Sequence, residues 1–211
     1  MDDVQKAVES WPGALSIGGG RFSMGGQIAA SDSLHLDMRA LRRVVAYSPA
    51  QRVIRVQAGI TWRDIQNLID PHEQSVKIMQ SYSNFTVGGS LSVNCHGRYV
   101  GRGALVNAVR ALSLVLPNGE VVEATRERNT ELFRAAVGGY GGVGIITEVE
   151  LDLKDNSRIE RIVKPLAISD YADWFRMKCS EIERYSCTTP TFPRLASTGL
   201  WQSAGCEPKS R

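Results

Sequence analysis

The chain has 211 residues, 43% hydrophobic and 22% charged, with a formal net charge of +3. This is an ordinary globular composition, long enough to bury a core as one domain or two small ones. The charge is too mild, and the basic residues too scattered, to point to a nucleic-acid partner.

No run nears the roughly 18 apolar residues that span a bilayer, so no membrane segment is expected. The opening "MDDVQKAVES" is acidic and lacks the basic-then-apolar order of a secretory leader. Cys95, Cys179, Cys187 and Cys206 form no C-x-x-C pair and share no ligand spacing with the three histidines. A cytoplasmic, reduced protein with no metal site is expected. Oligomeric state is left open.

In chain order, "DDVQKAVES" predicts a short helix with acidic residues in its first turn. "ALSI", "LHLDM", "RVVAYS" and "RVIRVQAG" predict strands. "TWRDIQNLID" predicts a helix capped by Thr61 and ended by Pro71. Thr86 is a candidate cap for a helical turn starting near Gly88. "ALSLVLPNGEVVEAT" predicts a hairpin around Pro-Asn-Gly. "NTELFRAAVG" predicts a helix closed by Gly138 or Gly139, and "GIITEVELDL" an alternating strand. From residue 154 a further strand, "RIERIVKP", and a helix over 169–185 capped by Ser169 are expected. Residues 187–211 hold three of the eight prolines, one acidic residue and no valine or isoleucine, which predicts disorder. The elements read as α+β with no internal repeat. No strand precedes the first helix to open a sheet, so truncation at both ends is expected.

Glycine carries the functional signal. Of twenty, six fall in 13–26, five in 88–103 and five in 138–144. Glycine is costly unless a positive φ or a close backbone approach requires it. Three such clusters suggest three loops converging on one extended ligand. "GGYGGVG" places Gly139, Gly141 and Gly144 in a G-x-G-x-x-G pattern. That fingerprint needs a strand before it and a helix after it, and here the order is reversed, which excludes a Rossmann site. "SIGGGRFSMGGQ" is not a Walker A loop, because no Lys-Ser/Thr pair follows. Its unencumbered N–H groups and the Ser23 hydroxyl can form an anion-binding nest. Arg21 reads either as the charged partner of that anion or as a surface arginine paired with an acid such as Asp37. "TVGGSLSVNCHG" offers a second nest, in which His96 is either structural or within reach of a ligand.

The ordered set "SIGGGRFSMGG", "VQAGITWRDI", "TVGGSLSVNCHG", "ALSLVLPNGEVVEA" and "NTELFRAAVGGYGGVGIITEVELDL" resembles the FAD-binding domain of the vanillyl-alcohol-oxidase/PCMH flavoprotein family. It is most similar to the sugar and aldonolactone oxidases and decaprenylphosphoryl-ribose oxidase. The resemblance implies two α+β subdomains clasping FAD over residues 1–153, the start of a substrate or cap domain over 154–186, and a tail. It implies contacts to pyrophosphate and flavin from Gly18, Gly19, Gly20, Arg21, Phe22, Ser23 and Gly25. Thr86, Val87, Gly88, Gly89, Ser90, Asn94, His96 and Gly97 would line the other side. Gly144 and Ile145 would meet the adenosine end through their backbone. Many relatives carry a flavin-linked histidine in the first loop. Arg21 takes the corresponding place here, so non-covalent FAD is expected.

The chemistry so implied is hydride transfer from an alcohol C–H of a sugar, polyol or lactone to the flavin. No residue stands out as the catalytic base; His96 is the nearest candidate. A non-catalytic flavin- or nucleotide-binding module needing a partner chain, and an inactive truncated product, stay open beside the oxidoreductase.

Overall fold

The computed structural model describes residues 2–98, 101–157, 159–179, 187–191 and 200–208. The chain divides into two compact units, Met1–His96 with Ala104–Asp155, and Gly97–Gly103 with Asn156–Arg211.

The first unit is α+β. Helix α1 (Asp2–Ser10) leads into β1 (Ala14–Gly18), which pairs in parallel with β2 (Ser33–Asp37). A six-stranded antiparallel sheet follows, built from β3 (Val44–Ser48), β4 (Val53–Gln57), β5 (Gln74–Val76), β6 (Val109–Val115), β7 (Val121–Thr125) and β8 (Ile145–Asp155). Its order is β3-β4-β8-β6-β7, with β5 also paired to β8. Helices α2 (Trp62–Ile69), α3 (Val87–Ser92) and α4 (Thr130–Ala136) complete the unit.

The local signals explain these elements. Thr61 caps α2 by accepting from the Asp64 N–H at 3.2 Å. The helix stops at Ile69, and Pro71 lies in the 3₁₀ turn that follows. Thr86 caps α3 by accepting from the Gly89 N–H at 3.3 Å, so that helix starts one residue earlier than expected. The hairpin turns through Gly119 at φ +83°, and α4 gives way after Val137 to Gly138 at φ +80°. In β8, buried and half-buried positions alternate from Thr147 to Lys154, as its sequence predicts.

Two hydrophobic clusters form. The larger packs Trp62, Ile65 and Ile69 of α2, Leu91 and Phe133 against Ile54, Leu112 and Val149 of the sheet. The smaller joins Val4 and Val8 of α1, Met38, Val115 and Ile145. Thus one face of α1 and the β1/β2 pair share a core of their own against the ends of β6 and β8. The opposite, polar face of the sheet is tied by Arg55, which donates to Glu148, Glu123 and Ser113 at 2.7–3.0 Å. Those partners sit on β8, β7 and β6, so one guanidinium spans four strands.

In the second unit, β9 (Ile159–Ala167), α5 (Ile168–Cys179), β10 (Cys187–Thr191) and β11 (Leu200–Pro208) are described, and the strands form an antiparallel sheet in the order β10-β11-β9. Over 187–191 and 200–208 this differs from the expected disorder; the rest of 187–211 lies outside the described residues. Ladder hydrogen bonds are made by backbone groups and do not require side-chain alternation, the signal whose absence predicts disorder. Ser169 is not the cap of α5: it is the second helical residue, and its hydroxyl donates to the adjacent Asp170 carboxylate at 2.8 Å. A neighbouring charged acceptor captures the hydroxyl. The expected helical residues 180–185 lie outside the described residues.

Candidate functional site

Between the two clusters of the first unit lies a cavity of about 590 Å³. That is within the roughly 300–1,000 Å³ usual for small-molecule sites. Leu15, Ile17 and Met38 wall it from the smaller cluster, and Ala58 and Ile146 from the larger. All three glycine loops reach it. Gly19 and Gly20 come from the first, Gly88 and Gly89 from the second, and Gly141, Gly142 and Gly144 from the third.

The loops are held together by backbone and cap contacts. A Cβ on Gly19 would stand 2.4 Å from Thr86 Oγ1, the oxygen that caps α3, so the first loop can lie against the second only as glycine. The third loop is tied to the end of α3, with the Gly138 N–H donating to Leu91 O at 2.9 Å and the Tyr140 N–H to Ser92 O at 3.1 Å. The helix-before, strand-after setting of "GGYGGVG" matches the order that excludes a Rossmann site.

Among the described residues, Arg21 is the one charged side chain lining the cavity, and no acidic side chain lines it. Its φ is +60°, and its guanidinium is half exposed, 3.4 Å from Asp37. Asp37 is held more firmly by Arg39, whose Nε donates to both carboxylate oxygens at 2.8 and 3.1 Å. This hydrogen bonding keeps the Asp37 carboxyl well below the usual carboxylate range. Arg21 therefore lines the cavity and also reaches the Asp37 carboxylate that Arg39 holds.

Behind α3 runs a buried polar network. Trp62 Nε1 donates to Ser90 Oγ at 2.9 Å, and Ser90 lies 3.0 Å from Gln80 Oε1. The Cys95 thiol donates to the same oxygen at 3.1 Å, and burial pushes that thiol's pKa up. Phe22, Phe85 and Tyr82 form an aromatic group beside the first loop, with the Phe22 and Phe85 ring centroids 4.5 Å apart.

Of the sequence-predicted residues, the cavity gathers Gly19, Gly20, Arg21, Phe22, Ser23, Thr86, Gly88, Gly89, Ser90 and Gly144. The others stand elsewhere. Gly18 is covered by the His35 ring, Val87 is fully buried in the larger core, and the Ile145 side chain is in the smaller. Asn94 accepts from the Val106 N–H at 3.1 Å and faces a separate cavity of about 200 Å³ beside Phe133. Gly25 is exposed and outside the lining. His96 is exposed and bridges to Ala104, also outside the lining, and Gly97 belongs to the second unit. Sequence reading missed Ala58, Gln80, Phe85 and Tyr140, which all line the cavity. A usable signal existed for Tyr140, an aromatic residue set between two Gly-Gly pairs.

An α+β unit with a cavity walled by three glycine loops and one arginine defines a binding domain for an extended anionic ligand. A family model described as an FAD binding domain matches residues 2–125, and the chain belongs to that family of PCMH-type FAD-binding domains. It is 32% identical over 152 residues to decaprenylphosphoryl-beta-D-ribose oxidase of Mycolicibacterium smegmatis, covering 71% of this chain and 33% of that one. To L-gulonolactone oxidase of Bos taurus it is 27% identical over 157 residues, covering 74% and 35%. To cytokinin dehydrogenase 1 of Arabidopsis thaliana it is 31% identical over 157 residues, covering 73% and 27%. The chain spans about a third of the length of these curated relatives.

The residues present fit FAD. Seven glycines line the cavity with bare backbone, Arg21 supplies positive charge for a pyrophosphate, and no carboxylate is among the described lining residues. Among the described residues no helix is long and apolar enough to cross a membrane.

Proposed function

We propose that this chain is the non-covalent FAD-holding part of an oxidoreductase acting on an alcohol of a sugar, polyol or lactone, working in the cytoplasm. The observation that carries the reading is the cavity of about 590 Å³ on which all three glycine loops converge, with Arg21 as its one lining charge among the described residues. Non-covalent binding is supported by the first loop, residues 16–27, which contains no histidine, cysteine or tyrosine.

FAD, when bound, supplies a flavin ring able to accept a hydride from an alcohol C–H. The chain's residues would bind, orient and shield it. Backbone N–H groups from Gly19 to Ser23 would meet pyrophosphate, and Arg21 would add a charge-assisted bond. Thr86, Gly88, Gly89 and Ser90 would line the opposite side, and Gly144 and Ile145 would meet adenosine through their backbone. His96 stands outside the cavity lining, so the hydroxyl proton is not assigned to it. Residues 1–153 would form the cofactor domain and 154–186 the start of the substrate domain.

The test is a visible spectrum of the purified chain after excess FAD is removed, followed by acid precipitation. Flavin absorbance is expected, with the yellow colour released to the supernatant. A yellow pellet would overturn non-covalent binding, and a cooperatively folded chain without flavin would overturn the whole reading. Bleaching by a panel of sugars, polyols and lactones is expected for the oxidoreductase. Flavin that no member of the panel reduces would instead favour a binding module dependent on a partner chain.

A further inference from the structure

Tyr140 is a bulky residue in the left-handed region, at φ +53°, between Gly139 and Gly141. An aromatic side chain at positive φ is a genuine outlier and strains the backbone. Such a conformation persists where surrounding structure over-determines it. The backbone is held, since the Tyr140 N–H donates to Ser92 O at 3.1 Å. The side chain is not. It is 65% exposed, and among the described residues it makes no hydrogen bond and no ring contact. Yet it lines the cavity, in the same loop as Gly141, Gly142 and Gly144. A glycine at 140 would satisfy the backbone without strain. Among the described residues no hydrogen bond or ring contact of the side chain offsets that strain, and a planar ligand group in the cavity would supply one.

We propose that Tyr140 is a cofactor-binding residue whose ring packs on the adenine of FAD. The inference rests on the FAD reading above, which assigns the neighbouring Gly144 to the adenosine end. Stacking of a base on an aromatic side chain is worth about tenfold or more in affinity. The left-handed backbone sets the ring at the cavity wall, so the strain is offset only when the ligand is bound.

The test compares wild type with Tyr140→Gly, Tyr140→Asn and Tyr140→Phe. Binding of FAD is followed by flavin fluorescence, and binding of ADP and FMN by calorimetry. Thermal melts are recorded without ligand. Glycine and asparagine both accept positive φ but lack the ring. Both variants are expected to bind FAD and ADP about tenfold more weakly, to bind FMN as wild type does, and to melt no lower than wild type. Tyr140→Phe is expected to keep wild-type affinity. Unchanged FAD affinity in the glycine and asparagine variants would overturn the inference while the FAD reading stands. So would a loss for FMN that matches or exceeds the loss for ADP. If wild type itself binds no FAD, the reading and the inference fall together.

Discussion

At the scale of single residues, the site turns on a few side chains whose positions sequence could name but not weigh. Arg21 was legible as a candidate for either an anion or Asp37, because both partners lie within plausible reach in a strand-loop-strand segment. Only coordinates show that Arg39 already holds Asp37, leaving Arg21 3.4 Å away and on the cavity wall. Arg21→Ala keeps the positive-φ cost of a non-glycine residue while removing the charge. It is expected to weaken FAD by about 10- to 150-fold, the equivalent of a charged hydrogen bond worth about 1.5–3 kcal/mol; fluorescence titration measures it, and an unchanged affinity would remove Arg21 from the site. Asp37 gives a pH signature. Its folded carboxyl titrates below the unfolded one, so its share of stability is whole above about pH 4 and is lost as pH falls through the folded value. The pair is partly exposed, so the effect is small. Asp37→Asn is expected to flatten the acid loss of stability below pH 4 and to leave the slope between pH 6 and 8 alone. Urea midpoints at pH 2.5, 4 and 7 check this, and parallel profiles below pH 4 would contradict it.

At the scale of elements, caps and turns were legible because their chemistry is local. Thr61 and Thr86 cap α2 and α3 with the same hydroxyl-to-N–H bond that their sequence positions predict. Thr61→Ala is expected to cost about 1 kcal/mol of stability, read as a lower urea midpoint at unchanged slope. A smaller loss than that would mean the Thr61–Thr86 bridge, rather than the cap, holds the helix start. Ser169 failed as a cap for an equally local reason, since Asp170 offers its hydroxyl a charged acceptor. The strands β10 and β11 were illegible because a backbone ladder leaves no trace in side-chain periodicity. Ala58 was missed for another reason. It reaches the cavity where β4 meets α3, with the Gly88 N–H donating to its carbonyl at 2.7 Å, and no local pattern encodes that junction.

At the scale of the whole molecule, the cavity sits between two clusters of the first unit, so a bound ligand should couple them. FAD held at a hundred times its dissociation constant is expected to raise unfolding free energy by about 2.7 kcal/mol. For a chain of this size that is a melting shift of roughly 5–10 °C. Hydrogen exchange should slow over residues 14–37 as well as 86–95. Protection confined to one of these segments would mean that the ligand contacts only one wall. The sequence by itself determined most element types of the first unit, the α+β class, the glycine loops and the family to which they point, because propensity, capping and turn chemistry act over a few residues. Only the tertiary structure decided which loop residues share the cavity. It set Gly19 on the Thr86 hydroxyl, took Val87 and the Ile145 side chain into the cores, turned Asn94 to another cavity and left Tyr140 strained at the wall. Those outcomes depend on packing between segments tens of residues apart, and such distances are fixed by the fold and not by the spacing of residues along the chain.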